Sequence, residues 1–182
     1  MADFSIKNIS NQVGDIQRAY TWELKLQTPV AVSTDVDGEE NALAIRCRSV
    51  VIPGRSHDVI TSNYMAMEQF FPGKIHFTNP FNITFEEFED RHIARILYKW
   101  QQGLFDLNVG HGNPKNSMIA DQCFLQLQNY NGVDVAKKDF GLIRINNAWP
   151  ESIAEVPMSY ADNNAVQYTF ALRYDTWEYI TK

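Results

Sequence analysis

Only two of the 182 residues are cysteine, Cys47 and Cys123, and they lie far apart with no zinc or redox spacing. No disulfide framework holds such a chain together, and two buried thiols in a reducing compartment are expected, with a bridge between them or between subunits as the weaker alternative. Long apolar runs are also missing. The longest, Ala42–Ile45 and Tyr64–Met67, have four residues, whereas a helix that spans a bilayer needs about 20. The first ten residues include Asp3 and Lys7 and no apolar stretch, which argues against a cleaved secretion signal. Basic residues are in deficit, 16 Lys and Arg against 22 Asp and Glu, for a formal net charge of -6. A protein that grips nucleic acid needs the opposite surplus to displace condensed counterions. Grip is therefore excluded, but free passage of nucleic acid along the protein is not.

Motifs that carry chemistry are equally scarce. His57, His76, His92 and His111 are scattered, and none stands at metal-ligand spacing such as H-E-x-x-H. There is no G-x-S-x-G, and no cysteine with an evident histidine partner. Gly110 to Lys115 lacks the spacing of a phosphate loop and the helix that should follow it. The acidic stretch Asp35, Asp37, Glu39 and Glu40 departs from the EF-hand pattern and reads as a solvated loop between Pro29 and Asn41. Glu86, Glu87, Glu89 and Asp90 crowd a helix start, where the dipole alone favours acids. No catalytic, cofactor-binding or metal-ligating residue is expected, and the chain does not read as an enzyme.

What is present is strand periodicity. Apolar residues make up 45% and aromatics 13% of the sequence, enough for one domain over residues 1–182 that removes roughly 70% of its unfolded surface from water. Tyr20, Trp22, Leu24 and Leu26 alternate with polar residues, and Leu43, Ile45 and Cys47 continue as a second strand. Pro53-Gly54 breaks the chain after Ile52. Pro72-Gly73 is expected to turn a hairpin with Ile75 and Phe77 inside and Lys74, His76 and Thr78 outside. Past a break at Asn79-Pro80, Phe81, Ile83 and Phe85 oppose Asn82, Thr84 and Glu86. One helix is expected from about Glu87 to Gln102, with Ile93, Ile96, Leu97 and Trp100 in one stripe and Gly103 as its stop. Phe105 to Ser117 reads as a long loop, Asn131-Gly132 as a hairpin turn, and Leu142 to Ile145 as a return strand running to Trp149-Pro150. The last and longest strand sets Val166, Tyr168, Phe170, Leu172 and Tyr174 against Gln167, Thr169, Ala171, Arg173 and Asp175. The sum is a mainly β domain of seven or eight strands with one helix, a sandwich or barrel-like fold.

Aromatic content exceeds what one core of this size needs. Met65, Met67, Phe70 and Phe71 place large apolar groups at both parities of one strand, so both faces are covered or a partner covers one.

Taken in order, several segments resemble the tail tube proteins of contractile-tailed bacteriophages. They are Arg18 to Leu24, Cys47 to Gly54, the hairpin from Met67 to Phe77, Phe81 to Phe85 leading into a helix that ends Leu97 to Gln101, Asn147 to Pro150 with Ile153 and Glu155, and Asp162 to Asn164 before the strand ending Trp177 to Tyr179. The match is weakest from Asn108 to Lys138. The resemblance implies a homo-hexameric ring whose sheets join into one continuous barrel, with rings stacked as a tube inside a contractile sheath.

Six copies closing head to tail would remove exposed strand edges, and imperfect closure gives a helical stack. Candidates for the channel wall are Lys74, His76, Asn82, Thr84, Glu86, Gln167, Thr169 and Arg173. Candidates for contacts between rings or subunits are residues of the expected loops Asp35 to Asn41 and Pro53 to Thr61, namely Asp35, Asp37, Glu39, Glu40, Pro53, Gly54, Arg55, His57 and Asp58, with the segment Met1 to Gly14. Implied partners are the tail sheath protein, baseplate and tail terminator proteins, the tape measure protein before ejection, and viral genomic DNA passing the channel without specific binding. The place of action is the virion tail, after assembly in the host bacterial cytoplasm. Two relatives of this reading stay open, a baseplate-proximal tube initiator and the inner tube of a phage-derived injection particle. From another class, a monomeric β-barrel holding an apolar ligand is the remaining alternative.

Overall fold

The computed structural model describes residues 17–33, 39–128, 141–161 and 163–180. Asp35, Asp37, the segment before Gly14 and the Asn131-Gly132 turn lie outside them. The described residues form ten strands: β1 (Trp22–Gln27), β2 (Cys47–Val50), β3 (Arg55–Tyr64), β4 (Met67–Phe77), β5 (Phe81–Glu86), β6 (Gln122–Leu127), β7 (Leu142–Asn146), β8 (Trp149–Ile153), β9 (Gln167–Arg173) and β10 (Thr176–Ile180). One main helix, α3 (His92–Leu104), accompanies the single turn α1 (Val30–Ser33) and the short helix α2 (Glu39–Arg46). The mainly β architecture with one main helix agrees with the reading of the sequence, and the strand count exceeds it.

The strands make two four-stranded antiparallel sheets and a separate hairpin. Sheet I has the order β1-β6-β7-β10 and sheet II the order β2-β5-β9-β8, while β3 pairs with β4. Alternation dictates what each sheet buries. Leu24 and Leu26, Leu125, Ile143 and Ile145 from sheet I meet Phe81, Ile83, Phe85, Phe170 and Leu172 from sheet II in one core cluster. Ile93, Ile96, Leu97 and Trp100 of α3 complete it, all fully buried. The Trp100 ring lies 5.6 Å from that of Phe170, and its Nε1 donates to the carbonyl of Met118 at 2.9 Å. Each such side chain stabilises by about 1.5–3 kcal/mol relative to exposure.

Several local expectations are overturned. Leu43 and Ile45 lie in α2, and the strand begins only at Cys47. Leu43 is fully buried while Ile45 is 77% exposed, which strand alternation forbids. A four-residue apolar run carries no period of its own. Tertiary partners decide it: the Arg46 guanidinium forks onto Asp90 at 2.8 and 2.5 Å, lies 3.5 Å from Glu87 and covers the Phe88 ring at 4.8 Å.

Helix α3 starts at His92, after Arg91 at φ 51, and not at Glu87. Gly103 does not stop it, because the helix runs on to Leu104. A Cβ on Gly103 would sit 2.9 Å from Met118 Sδ, so close packing explains this residue. Glu87 stays upstream and reaches back, its carboxylate accepting the backbone N–H groups of Phe88 (3.0 Å), Ile93 (3.3 Å) and Ala94 (2.6 Å). An acid does serve the helix start, from five residues before it.

Pro72-Gly73 is not a turn. It lies inside β4, at a shift of register where Val59 pairs with Pro72 and His57 with Ile75. A bulge tolerates a proline, and a Cβ on Gly73 would come within 3.1 Å of the Asp58 carbonyl oxygen. The chain reverses instead at Met65 (φ 54) and Ala66.

Two expected long strands are each divided between the sheets. Asn147 (φ 57) separates β7 in sheet I from β8 in sheet II, and Tyr174-Asp175 separates β9 in sheet II from β10 in sheet I. The corners are tied together. The Asp175 carboxylate accepts from Lys115 Nζ (2.8 Å) and Asn147 Nδ2 (2.8 Å), and its N–H donates to the Asn146 carbonyl (3.1 Å). Lys115, and then Asn147, hold the Asp175 carboxyl below its ordinary range.

Candidate functional site

The two surfaces of sheet II differ because its strands alternate. Phe81, Ile83, Phe85, Phe170 and Leu172 face the core, so Asn82, Thr84, Glu86, Gln167, Thr169 and Arg173 share the other face. Register brings them side by side, with Thr84 opposite Thr169, Glu86 opposite Gln167 and Asn82 opposite Ala171. The Thr84 and Thr169 hydroxyls are 3.4 Å apart. Ser49 extends the surface from β2 and Ser152 from β8. Only Trp149, opposite Arg173 at one end, is large and apolar. Residues 155–159 and 164–166 overhang the other end, where Glu86, Gln167 and Thr169 line a cleft of about 790 Å³.

Charge on this face is balanced. The four strands of sheet II contain four charged side chains, Arg48, Glu86, Glu151 and Arg173. Arg48 pairs with Glu86 across β2 and β5. Arg173 pairs with Glu151 across β9 and β8 through Nε (3.0 Å) and Nη2 (2.5 Å), and the Arg173 pKa is raised by that hydrogen bond. Arg48 and Glu151 are not among the wall candidates read from the sequence. Their signal was present only as alternation on strands whose neighbours are set by tertiary pairing.

The outer face of sheet I has another character. Its register sets Lys25, Phe124, Arg144 and Glu178 in one row and Glu23, Gln126, Leu142 and Ile180 in the next. Arg144 covers the Phe124 ring at 5.2 Å. Apolar and charged groups alternate there.

The third feature is the hairpin. Strands β2 and β5 pair, β3 and β4 continue them, and Thr78 N–H donates to the Gly54 carbonyl at 3.0 Å across the break. At its base, Phe77 meets Tyr174 edge-on with centroids 6.5 Å apart, and Arg55 covers Trp177 at 5.6 Å. Beyond the base, ten residues of β3 reach about 30 Å. Every residue of β3 is exposed. Val59, Ile60, Tyr64, Met65, Met67, Phe70, Phe71 and Ile75 along this arm are 44–91% exposed, on both of its faces. An apolar surface this extended marks an interaction site.

The remaining candidate residues fall apart from the sheet II face. Lys74 and His76 belong to the hairpin, where His76 Nε2 meets Asp58 Oδ2 at 2.9 Å. Arg55, His57 and Asp58, expected in a loop, are in β3. Pro53 and Gly54 do form the break before it, but Pro53 is buried. Glu39 and Glu40 open α2. Burial pushes the thiols of Cys47 and Cys123 up to about 12, and neither forms a disulfide. No three His, Cys, Asp or Glu side chains converge as a metal site among the described residues. None of their helices is long and apolar enough to cross a membrane.

A family model described as "phage tail tube protein" matches residues 17–180. No curated protein matches the sequence significantly. Among solved structures, the chain resembles one in the baseplate of the anti-feeding prophage, with TM-score 0.63, 9% identity and coverage of 92% of this chain and 97% of that one. It also resembles a chain of the tube-terminating cap of the same particle, with TM-score 0.62, 16% identity and 95% and 99% coverage. A third is in the sheath-tube complex of the extracellular contractile injection system PVC, with TM-score 0.56, 17% identity and 98% and 100% coverage. At these identities the likeness is one of fold.

Proposed function

The chain belongs to the phage tail tube protein family, a family of structural proteins, and from that membership we propose that it folds as one domain whose six copies close into a ring. The rings stack into the inner tube of a contractile tail, which conducts the viral genome. The observation that carries this reading is the pairing of a polar, charge-balanced sheet face with a long apolar hairpin in a chain of this family.

Among the described residues, sheet II ends in two open edges, β2 and β8. Exposed edges invite pairing with another chain, and rotation of like subunits satisfies every edge at once. Six four-stranded sheets make a 24-stranded barrel. With strands about 4.8 Å apart and tilted by about 40°, its backbone diameter is roughly 45–50 Å. The polar face of sheet II is suited to the water-filled inside, and the outer face of sheet I, with Phe124, Leu142 and Ile180, to burial against neighbouring protein. The hairpin, too long to pack on its own core, reaches the next ring and buries its apolar residues there. Lys74 and His76 then continue the wall toward that junction.

Such a tube works without chemistry. A formal charge of -6 per subunit becomes about -36 per ring, which repels rather than retains DNA. Sheath, baseplate, terminator and tape measure proteins are the partners this role requires, and the host cytoplasm is where assembly takes place. The test is the mass of the purified protein in solution together with negative-stain electron microscopy at rising concentration. Annular hexamers or tubes are expected, and a stable monomer that never stacks contradicts the proposal.

A further inference from the structure

We propose that Glu86 and Glu151 are masking residues, which occupy the guanidinium forks of Arg48 and Arg173 so that the sheet II face offers no free cation to the phosphates of duplex nucleic acid. The inference rests on the reading that this face lines the channel. Both arginines stand on the polar face, half exposed at 53% and 45%, where a passing polyanion would meet them. An unpaired guanidinium presents a planar set of donors that matches a phosphate bidentately, which a lysine does not. Here each fork is already filled from the adjacent strand. Arg173 holds both carboxylate oxygens of Glu151, and Arg48 holds Glu86 through Nε and Nη2.

Apart from Trp149 at one end, the rest of the face is hydroxyl, amide and alanine. The sheet therefore gains cross-strand pairing between β2 and β5 and between β9 and β8, without placing an uncommitted positive charge on the sheet II part of the wall, Lys74 lying beyond it on the hairpin. Filling the forks has its consequence for a phosphate polymer. A polypeptide cargo of mixed charge would be handled alike with or without them, so the arrangement favours duplex nucleic acid as the polymer that moves past.

Fluorescence anisotropy of a labelled DNA duplex tests this on the full chain. The variants are E86Q/E151Q, a charge-matched control E89Q/D121N away from the face, and the quadruple variant that adds R48Q/R173Q. Circular dichroism confirms folding, and the single variants E86Q and E151Q serve if the double variant does not fold. Wild type and control should bind weakly at 50 mM salt, and E86Q/E151Q at least about tenfold tighter. With two phosphates engaged per subunit, its affinity should fall about twelvefold between 50 and 200 mM salt, and the quadruple variant should return to the wild-type level. An E86Q/E151Q protein that binds no tighter than E89Q/D121N overturns the inference, as does tighter binding that persists in the quadruple variant. Microscopy of the same samples separates this from the tube reading. Tubes without unmasked binding contradict the masking alone, whereas unmasked binding by a protein that never assembles supports the masking and contradicts the tube.

Discussion

Truncating Glu87 to alanine removes a carboxylate whose side chain is only 7% exposed and which accepts the Phe88 N–H and two N–H groups in the first turn of α3, those of Ile93 and Ala94. The one other side chain that serves this end among the described residues is Asp90, which accepts the His92 N–H at 3.3 Å, while Arg91 makes no cap. Losing a cap costs about 0.5–2 kcal/mol, and hydrogen bonds to a charged group contribute about 1.5–3 kcal/mol. The contributions overlap, so the expected loss for Glu87→Ala is about 2–4 kcal/mol. Glu87→Gln keeps one acceptor and turns an amide donor toward a backbone donor, and should cost about half as much. In a chain of this size 1 kcal/mol shifts Tm by about 2–4 °C, so a fall of roughly 4–16 °C is expected for the alanine variant. Urea unfolding followed by circular dichroism at low protein concentration is the assay, because assembly would add apparent stability by mass action. With a slope of about 2 kcal/mol/M, the midpoint should drop by about 1–2 M. A shift under about 0.3 M would refute the view that Glu87 holds the start of α3.

Phe170→Ala, at the centre of the core and 5.6 Å from Trp100, should cost about 3–5 kcal/mol in the same urea assay. Arg46 holds the Asp90 carboxyl at about 2, below its usual 3.8. A depressed carboxylate contributes stability above its unfolded value and loses it as the pH falls through the folded one. Asp90→Asn should therefore lower the urea midpoint at pH 7 and lower it much less near pH 2, where most of the stabilisation is already lost; an equal deficit at both would contradict the pairing. Met67→Asp with Phe70→Asp at the exposed hairpin should leave the melting curve nearly unchanged and abolish tubes in negative stain. Thr84→Lys, Glu86→Lys and Thr169→Lys together should permit assembly and slow DNA release from particles, and unchanged release would remove this face from the channel.

Legibility in the sequence followed the range of the forces involved. Alternation on β5 and β9 was readable because one face is driven out of water at every second residue, and six of the eight wall candidates do share one surface. The stripe of α3 was readable for the same reason. Where placement depends on a distant partner the local pattern misled. Leu43 and Ile45 look like a strand until Arg46 finds Asp90, and Pro72-Gly73 looks like a turn until β3 supplies the opposite side of a bulge. The divisions at Asn147 and Tyr174-Asp175 show in the sequence only as a slip of phase, from Ile143 and Ile145 to Ala148 and Pro150 and from Phe170 and Leu172 to Trp177, and a slip of phase does not by itself mark a change of sheet. The apolar excess of the hairpin is visible as residues at both parities, and none of the described residues covers it.

The most direct measurement is a helical reconstruction of the assembled protein by cryo-electron microscopy at side-chain resolution. The expected result is a six-fold tube whose channel is walled by the sheet II face, with Thr84 and Thr169 pointing inward, Arg48 and Arg173 paired to Glu86 and Glu151, and each hairpin seated on the next ring. A tube walled by the outer face of sheet I, or hairpins left in solvent, would contradict it.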